Sequence, residues 1–486
     1  MSRIVVRCNR MIVSPEHAQL FASSYRNTRC LSSNYLSPRS FLDTALSVLH
    51  NIELERKDAK AFVRQIRSAA IKLELEYGTS GQKLNLDDSR IRQIIEPELA
   101  PRLEDVIPTV ERSLEKPVGA PPLSQATADK SRVLILTVDH TRPSPVDLLR
   151  PVLDAIQPMG LNVTICVALG RHRRMTGQEL IAHLGMDLID RCKLLQHDPF
   201  DDRHHKNLGA TSRGTPIKVN EVVAEHDFIL GVGFVEPSYL AGFSGGRKLI
   251  MPGIAHHTSI DANHYLLLEE GAEIGRLAGN PIHEDAMEFV SKVRFDWLTC
   301  GVLGGKDEIT AVLSGDPVKA HAEACEFSRK IYEKKAEESD IVIATVGGHP
   351  YDCDMVQAKK GIIPAAKIVR KGGVIILLGD CPDLWGAEET FREWLTTKTP
   401  DQVAADVKDR NKFNLGAHGA NILAKPIVEK QATVIFVTSR RMAKELRDTY
   451  VQPSRSLSAA LGQAEGIVGT DASVSIVRCA RRMIIR

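Results

Sequence analysis

No run of apolar residues approaches the ~18 needed to cross a bilayer, and the nine cysteines include no Cys-x-x-Cys pair. There is also no internal repeat and no low-complexity segment. The first absence gives no support to a membrane-spanning role. The second argues against a disulfide framework or a zinc ribbon, because scattered thiols are typical of buried cysteines in a reducing compartment. Charge excess is missing too: 63 Lys and Arg against 61 Asp and Glu leave +2. So neutral a chain gives no reason to expect nucleic acid or an anionic membrane as partner. What is present is ordinary globular composition, 43% hydrophobic and 26% charged over 486 residues. That is long enough for two or three domains of about 100–200 residues each. The expectation is a cytoplasmic protein of enzyme size.

Acidic residues are nearly missing from residues 1–50, which hold six arginines and nine serines but only Glu16 and Asp43. Such a composition matches an organellar transit peptide, and equally an upstream extension or a poorly ordered tail. We read 1–70 as an extension, with a short amphipathic helix over 51–70 built on Ile52, Phe62, Val63 and Ile66. From Ile71 the pattern changes. Ile71, Leu73, Leu75 and Tyr77 alternate with charged residues, Gly78 and Gly81 supply a turn, and Leu84 and Leu86 continue the alternation as a hairpin partner.

Apolar runs and helical patterns then alternate: a short helix at 108–114, a strand at 133–138, a helix at 145–156, a strand at 163–169 and a helix at 176–184. That order is the signature of a parallel sheet with crossover helices. A second α/β unit follows, with a charged helix over 323–338, a strand over 340–346, a helical pattern over 355–370 broken at Pro364, and strands at 374–378, 432–437 and 474–477. The boundary between the units falls near 325–340. In parallel sheets ligands sit beyond the carboxyl ends of the strands. Asp139-His140-Thr141-Arg142-Pro143 and Gly170-Arg171-His172-Arg173 occupy those ends.

The most informative stretch is 231–264, GVGFVEPSYLAGFSGGRKLIMPGIAHHTSIDANH. Glycines let a backbone approach a ligand closely, and successive turn amides form a concavity for anions. The basic pair adds a point charge or an amine nucleophile. Sixteen residues after Lys248, His264 adds a metal ligand or a proton shuttle. The lesser alternative for the segment taken alone is a glycine-rich crossover with a solvated Arg-Lys pair.

Four motifs occur in order: Asp139–Arg142, Gly170–Arg173, the Ser-Gly-Gly-Arg-Lys segment, and Gln357-Ala358-Lys359-Lys360-Gly361 after the strand that ends in Gly347-Gly348. Over roughly residues 71–470 this order resembles the nickel-dependent lactate racemase family, whose members racemise or epimerise 2-hydroxy acids. The resemblance implies an α/β protein with two Rossmann-like α/β domains, 71–330 and 331–470, and a cofactor and substrate cleft between them. It places 471–486 as a segment packing back on the first domain. It also implies a nickel-pincer nucleotide, a pyridinium mononucleotide whose ring carries nickel through one carbon and two sulfurs.

By motif position, Lys248 tethers that nucleotide and His264 ligates the nickel; three pincer donors plus one imidazole give the tetragonal geometry Ni(II) prefers. Asp139 and Thr141 shape the nucleotide site, and Ser244, Gly245 and Gly246 cradle its phosphate through backbone amides. Arg142 meets the substrate carboxylate, and Gln357 and Lys360, one helical turn apart, reach it from the other domain. His418 lines the same cleft. His172 takes the substrate hydroxyl proton while hydride leaves the α-carbon.

At one position the chain departs from the family. Ten residues before Lys248, where a second histidine serves the other enantiomer, it has Ser238. A hydroxyl is a poor base unless a neighbour activates it. Three readings are open: a different second base, with His256 or His257 as candidates; a larger or differently shaped hydroxy acid; or a one-sided oxidoreductive or epimerising step. Without the pincer, the same residues could serve a metal-dependent hydrolase or a non-catalytic binder of small molecules.

Overall fold

The computed structural model describes residues 70–386 and 388–486 of the chain, and two six-stranded sheets organise these described residues. The readings of residues 1–69, including most of the helix expected over 51–70, lie outside the described residues; Ala70 opens the first strand. In the first sheet the order is Ile309–Gly315, Trp297–Leu303, Phe228–Val235, Arg132–Thr137, Asn162–Val167 and Lys193–Gln196. All neighbours run parallel except the antiparallel edge strand Ile309–Gly315. Phe228–Val235 is buried along its whole length. Helices cover both faces of such a sheet, so its inner strands read as continuous apolar runs.

The second sheet is parallel throughout, in the order Gln452–Ser454, Thr433–Val437, Val369–Leu378, Ser339–Thr345, Val474–Val477 and Ile91–Ile95. The hairpin Ala70–Tyr77 and Ser80–Asp87 packs on it, with Leu75, Leu84 and Leu86 against Ile343, Ile376 and Val474. A cut at residue 330 therefore separates the chain but not the lobes, since residues 70–95 sit with the second sheet. The last residues divide as well. Val474–Val477 is an inner strand of the second sheet, whereas Arg481 and Arg482 reach Glu236 at the end of a first-sheet strand.

Two helices differ from their expected positions for local reasons. The helix expected over 323–338 spans Pro317–Tyr332. Asp316 caps it, accepting from the amides of Val318 at 3.1 Å and Lys319 at 2.9 Å, and Pro317 takes the first position, where no amide is needed. It stops where Glu333–Lys334 pairs with Ile484–Ile485. The pattern over 355–370 is interrupted by the tight turn Lys359–Gly361, between the helices Met355–Ala358 and Ile362–Ile368. Pro364 does not break it; it lies in the first turn of the second helix, where its missing N–H costs nothing.

Candidate active site

The strand Arg132–Thr137 ends at a loop that turns back through Asp139, and the parallel strand beside it delivers His172. Nδ1–H of His172 donates to Asp139 Oδ2 at 2.6 Å. The other carboxylate oxygen accepts from Thr141, from its amide at 3.0 Å and its hydroxyl at 2.5 Å. Burial alone would raise the Asp139 carboxyl; the His172 charge and the bonds from His172 and Thr141 outweigh it and hold the group well below the usual carboxylate range. An ionised Asp139 fixes the tautomer, leaving the Nε2 lone pair of His172 free to take a proton. Arg171 beside it pairs with Asp261 on the helix His257–Tyr265. The loop carrying His172 is thereby tied to the helix that carries His264.

Arg142 closes the same loop. Its Nε lies 3.0 Å from Glu236 Oε1 in an ion pair, and its Nη1 donates to the Thr141 carbonyl at 2.9 Å. Glu236 is buried, and Arg481 and Arg482 reach its second oxygen.

The Ser-Gly-Gly turn is shaped by packing. The Ser244 hydroxyl accepts from the Glu236 amide at 3.0 Å and donates to the Phe234 carbonyl at 3.3 Å. Its own carbonyl accepts from His321 Nε2 at 2.8 Å. Gly245 and Gly246 have φ of 75° and 53°, and a Cβ there would lie 2.6 Å from the Phe234 carbonyl oxygen and 2.7 Å from the His321 ring. Glycine is thus required whether or not a phosphate binds. The turn sends Arg247 inward, where its Nη2 donates to the Ala241 carbonyl at 2.7 Å.

Lys248 lines a small cavity together with Leu240, Met251, Pro252, Ile282 and His264. Burial, and then the charges of Arg142 and Arg247, bring the Lys248 amine down to about 7. His264 is buried, its Nδ1 has no hydrogen-bond partner, and burial with Lys248 and Arg171 nearby brings it down to about 3. A neutral imidazole and an amine that titrates near neutrality thus share one cavity.

From the second lobe come Gln357 and Lys360, joined by a bond from Lys360 Nζ to Gln357 Oε1. Burial, then Arg142, Lys359 and Arg481, lower Lys360 to about 7. Lys360 Nζ also lies 6.0 Å from the ring centre of Tyr239, the residue after Ser238. On its helix, Leu415–Lys430, His418 lies parallel to Tyr239 at a centroid distance of 6.1 Å, with neither ring nitrogen partnered. Buried polar groups nearly always find partners, and His418 has none among the described residues.

Residues 77–275 match the lactate racemase N-terminal domain and residues 334–484 the lactate racemase C-terminal domain. The lactate racemase of Thermoanaerobacterium thermosaccharolyticum is 32% identical over 426 residues, covering 85% of this chain and 99% of that protein. The chain belongs to the lactate racemase family. The lactate racemase of Lactiplantibacillus plantarum is 30% identical over 377 residues, covering 76% of this chain and 88% of that one. The solved lactate racemase apoprotein of T. thermosaccharolyticum superposes with a TM-score of 0.80 at 32% identity, over 86% of this chain and all of that one. A Thermotoga maritima protein structure, at 22% identity and TM-score 0.60 over 80% of this chain and all of that one, shares the fold.

Family membership makes the donor set around His264 informative. Among the described residues no group of three His, Cys, Asp or Glu side chains could hold a metal ion. A metal at His264 must therefore bring most of its own donors, as a pincer does. The unpartnered imidazole beside a depressed lysine fits that requirement.

The two alternative histidines lie elsewhere. His256 caps the N-terminus of the helix His257–Tyr265, with Nδ1 2.8 Å from Thr258 Oγ1 and Nε2 3.0 Å from Asp202 Oδ1. His257 stacks on Phe200 at 5.1 Å. Seven residues separate His257 from His264, about 10 Å along a helix, and the contacts of both histidines join a cluster with His205 rather than the cavity. Sequence reasoning missed Tyr239, Glu236, Arg481 and Arg482. Only the acidic residue just before Pro237-Ser238, in an otherwise apolar stretch, carried a signal.

Proposed function

We propose that this protein racemises or epimerises a 2-hydroxy acid, using a nickel-pincer nucleotide tethered at Lys248. The observation that carries the reading is the pairing of Lys248, lowered to about 7, with the unpartnered buried His264 in one cavity of a lactate racemase family member. Lys248 would hold the nucleotide and His264 the nickel. When bound, that group supplies the acceptor that takes hydride from the substrate α-carbon and returns it.

The chain's own residues do the rest. Arg142 and Lys360 bind the substrate carboxylate from opposite lobes, with Gln357 orienting Lys360 and His418 closing the cleft. His172 accepts the hydroxyl proton at Nε2, and Asp139 stabilises the resulting imidazolium as it holds the ring. Thr141 completes the Asp139 shell beside the nucleotide site, and the turn Ser244-Gly245-Gly246 sets where Lys248 enters. Ser238 occupies the place of the family's second proton-transfer histidine, so catalysis from the two enantiomers is unequal in its individual steps. The free thiols among the described residues suit a cytoplasmic setting.

The test is intact mass and nickel content of protein made in cells that synthesise the pincer. A covalent adduct with nickel is expected. Zinc without an adduct points to a hydrolase, and neither metal nor adduct points to a non-catalytic binder.

A further inference from the structure

We propose that Glu236 is the positioning residue for Arg142, and that Arg481 and Arg482 at the end of the chain hold Glu236 in place for that purpose. The inference rests on the reading of Arg142 as the carboxylate-binding residue. Glu236 follows the strand Phe228–Val235, and its backbone is pinned by Ser244 through an amide bond of 3.0 Å and a carbonyl bond of 2.8 Å. One carboxylate oxygen forms an ion pair with Arg142, 3.0 Å from its Nε; the other accepts from Arg481 Nη1 at 3.2 Å and from Arg482 Nε. The Arg142 guanidinium is thus fixed along one edge by Glu236 and at Nη1 by the Thr141 carbonyl. Its Nη2 end makes no hydrogen bond to the described residues.

Charge balance points the same way. Arg482 also pairs with Asp307, which accepts from the Tyr351 hydroxyl at 2.5 Å, and the Arg481 guanidinium lies 3.3 Å from the Tyr351 ring centre. Three guanidiniums therefore meet two carboxylates, Glu236 and Asp307. The surplus positive charge falls on Arg142, whose side chain is 29% exposed against 10% for Arg481 and 1% for Arg482. Buried charges are tolerated when paired and hydrogen-bonded. Here the pairing hands one oriented, unneutralised guanidinium to the cleft. Together with Thr141 and Asp139, the contacts run unbroken from His172 in the first lobe to Tyr351 in the second.

A positioning role and a mere charge role predict opposite signs. If Glu236 only tempers the field, its neutralisation makes the cleft more positive and carboxylates bind more tightly. If it aims Arg142, the same change frees the guanidinium and carboxylates bind more weakly. The experiment titrates pyruvate into the cofactor-loaded protein by calorimetry and measures KM and kcat for lactate in wild type, Glu236→Gln and Glu236→Asp. Glu236→Asp keeps the charge and withdraws the carboxylate by one methylene, so it remains informative if the neutral variant does not fold. Both variants are expected to lose about tenfold or more in pyruvate affinity, the scale of one charge-assisted hydrogen bond. KM should rise far more than kcat falls, and the affinity for lactamide, which has no carboxylate, should be unchanged. Unchanged or tighter pyruvate binding in both variants overturns the proposal, as does equal loss of lactamide binding or a wild type that does not bind pyruvate. Mass and nickel analysis of the wild type reads the functional assignment separately.

Discussion

The two sides of the cleft differ in whether their polar groups already have partners. On the side of His172, Asp139, Thr141, Arg142 and Glu236, the groups bond to one another, and the buried carboxylates are held ionised by their neighbours. On the side of Lys248, His264 and His418, the two histidines have buried ring nitrogens without partners, and burial has pushed all three groups toward neutrality. The first side is preorganised by the protein alone. The second is completed by something that binds. A buried polar atom left unmade costs about 1–3 kcal/mol, so an enzyme keeps such atoms where a ligand recovers that loss.

The comparison breaks most completely at the unpaired side. Lys248→Ala should abolish the covalent adduct in the mass spectrum, and His264→Ala should remove most retained nickel, both with the fold intact by circular dichroism. An adduct or full nickel content surviving these changes would place the tether or the ligand elsewhere. On the paired side the losses should be graded. His172→Gln should lower turnover by about 10²–10⁴-fold, the usual worth of a general base. Asp139→Asn should fall in the same range because it no longer enforces the tautomer; adduct and nickel should be untouched by His172→Gln. Ser238→His sharpens the contrast further, since a second imidazole should raise the slower direction of lactate turnover. Stopped-flow half-reactions of each enantiomer would read this, and wild-type rates already equal in both directions would contradict it.

A separate effect concerns pH. Lys248 and Lys360 titrate near 7 in the folded protein, through burial, and near 10.4 when unfolded. Between those values the unfolded chain binds more protons, so the stability of ligand-free protein should rise with pH from about 7 to about 10. The penalty is fully present below 7. Denaturant midpoints at pH 7 and 9.5 would measure it, and the rise should shrink in Lys248→Met. A midpoint equally pH-dependent in the variant would remove Lys248 from the effect.

Much of the fold was legible because parallel sheets write themselves as apolar runs bounded by turn residues. The strands Arg132–Thr137, Asn162–Val167, Ser339–Thr345 and Val474–Val477 fall within one or two residues of their expected positions. Ile91–Ile95 was not legible, because a short edge strand of mixed burial has no periodic signal and its partner lies almost 400 residues away. Among candidate site residues, His172, Arg142, Lys248 and His264 were visible through local motifs. Glu236 and the arginine pair near the C-terminus were not, because ion pairs formed between lobes leave no spacing to read. The Ser-Gly-Gly turn teaches the reverse. Its glycines are explained by Phe234 and His321 packing, so a glycine cluster alone did not identify its ligand.

The most direct test of the central claim uses lactate carrying deuterium at the α-carbon. Cofactor-loaded protein is incubated with one labelled enantiomer in ordinary water, and product configuration and label are read together. If hydride leaves and returns within the cleft while His172 handles only the hydroxyl proton, the opposite enantiomer forms with its deuterium retained. Loss of the label to solvent in step with racemisation, or no racemisation by protein that carries nickel and adduct, would contradict the account.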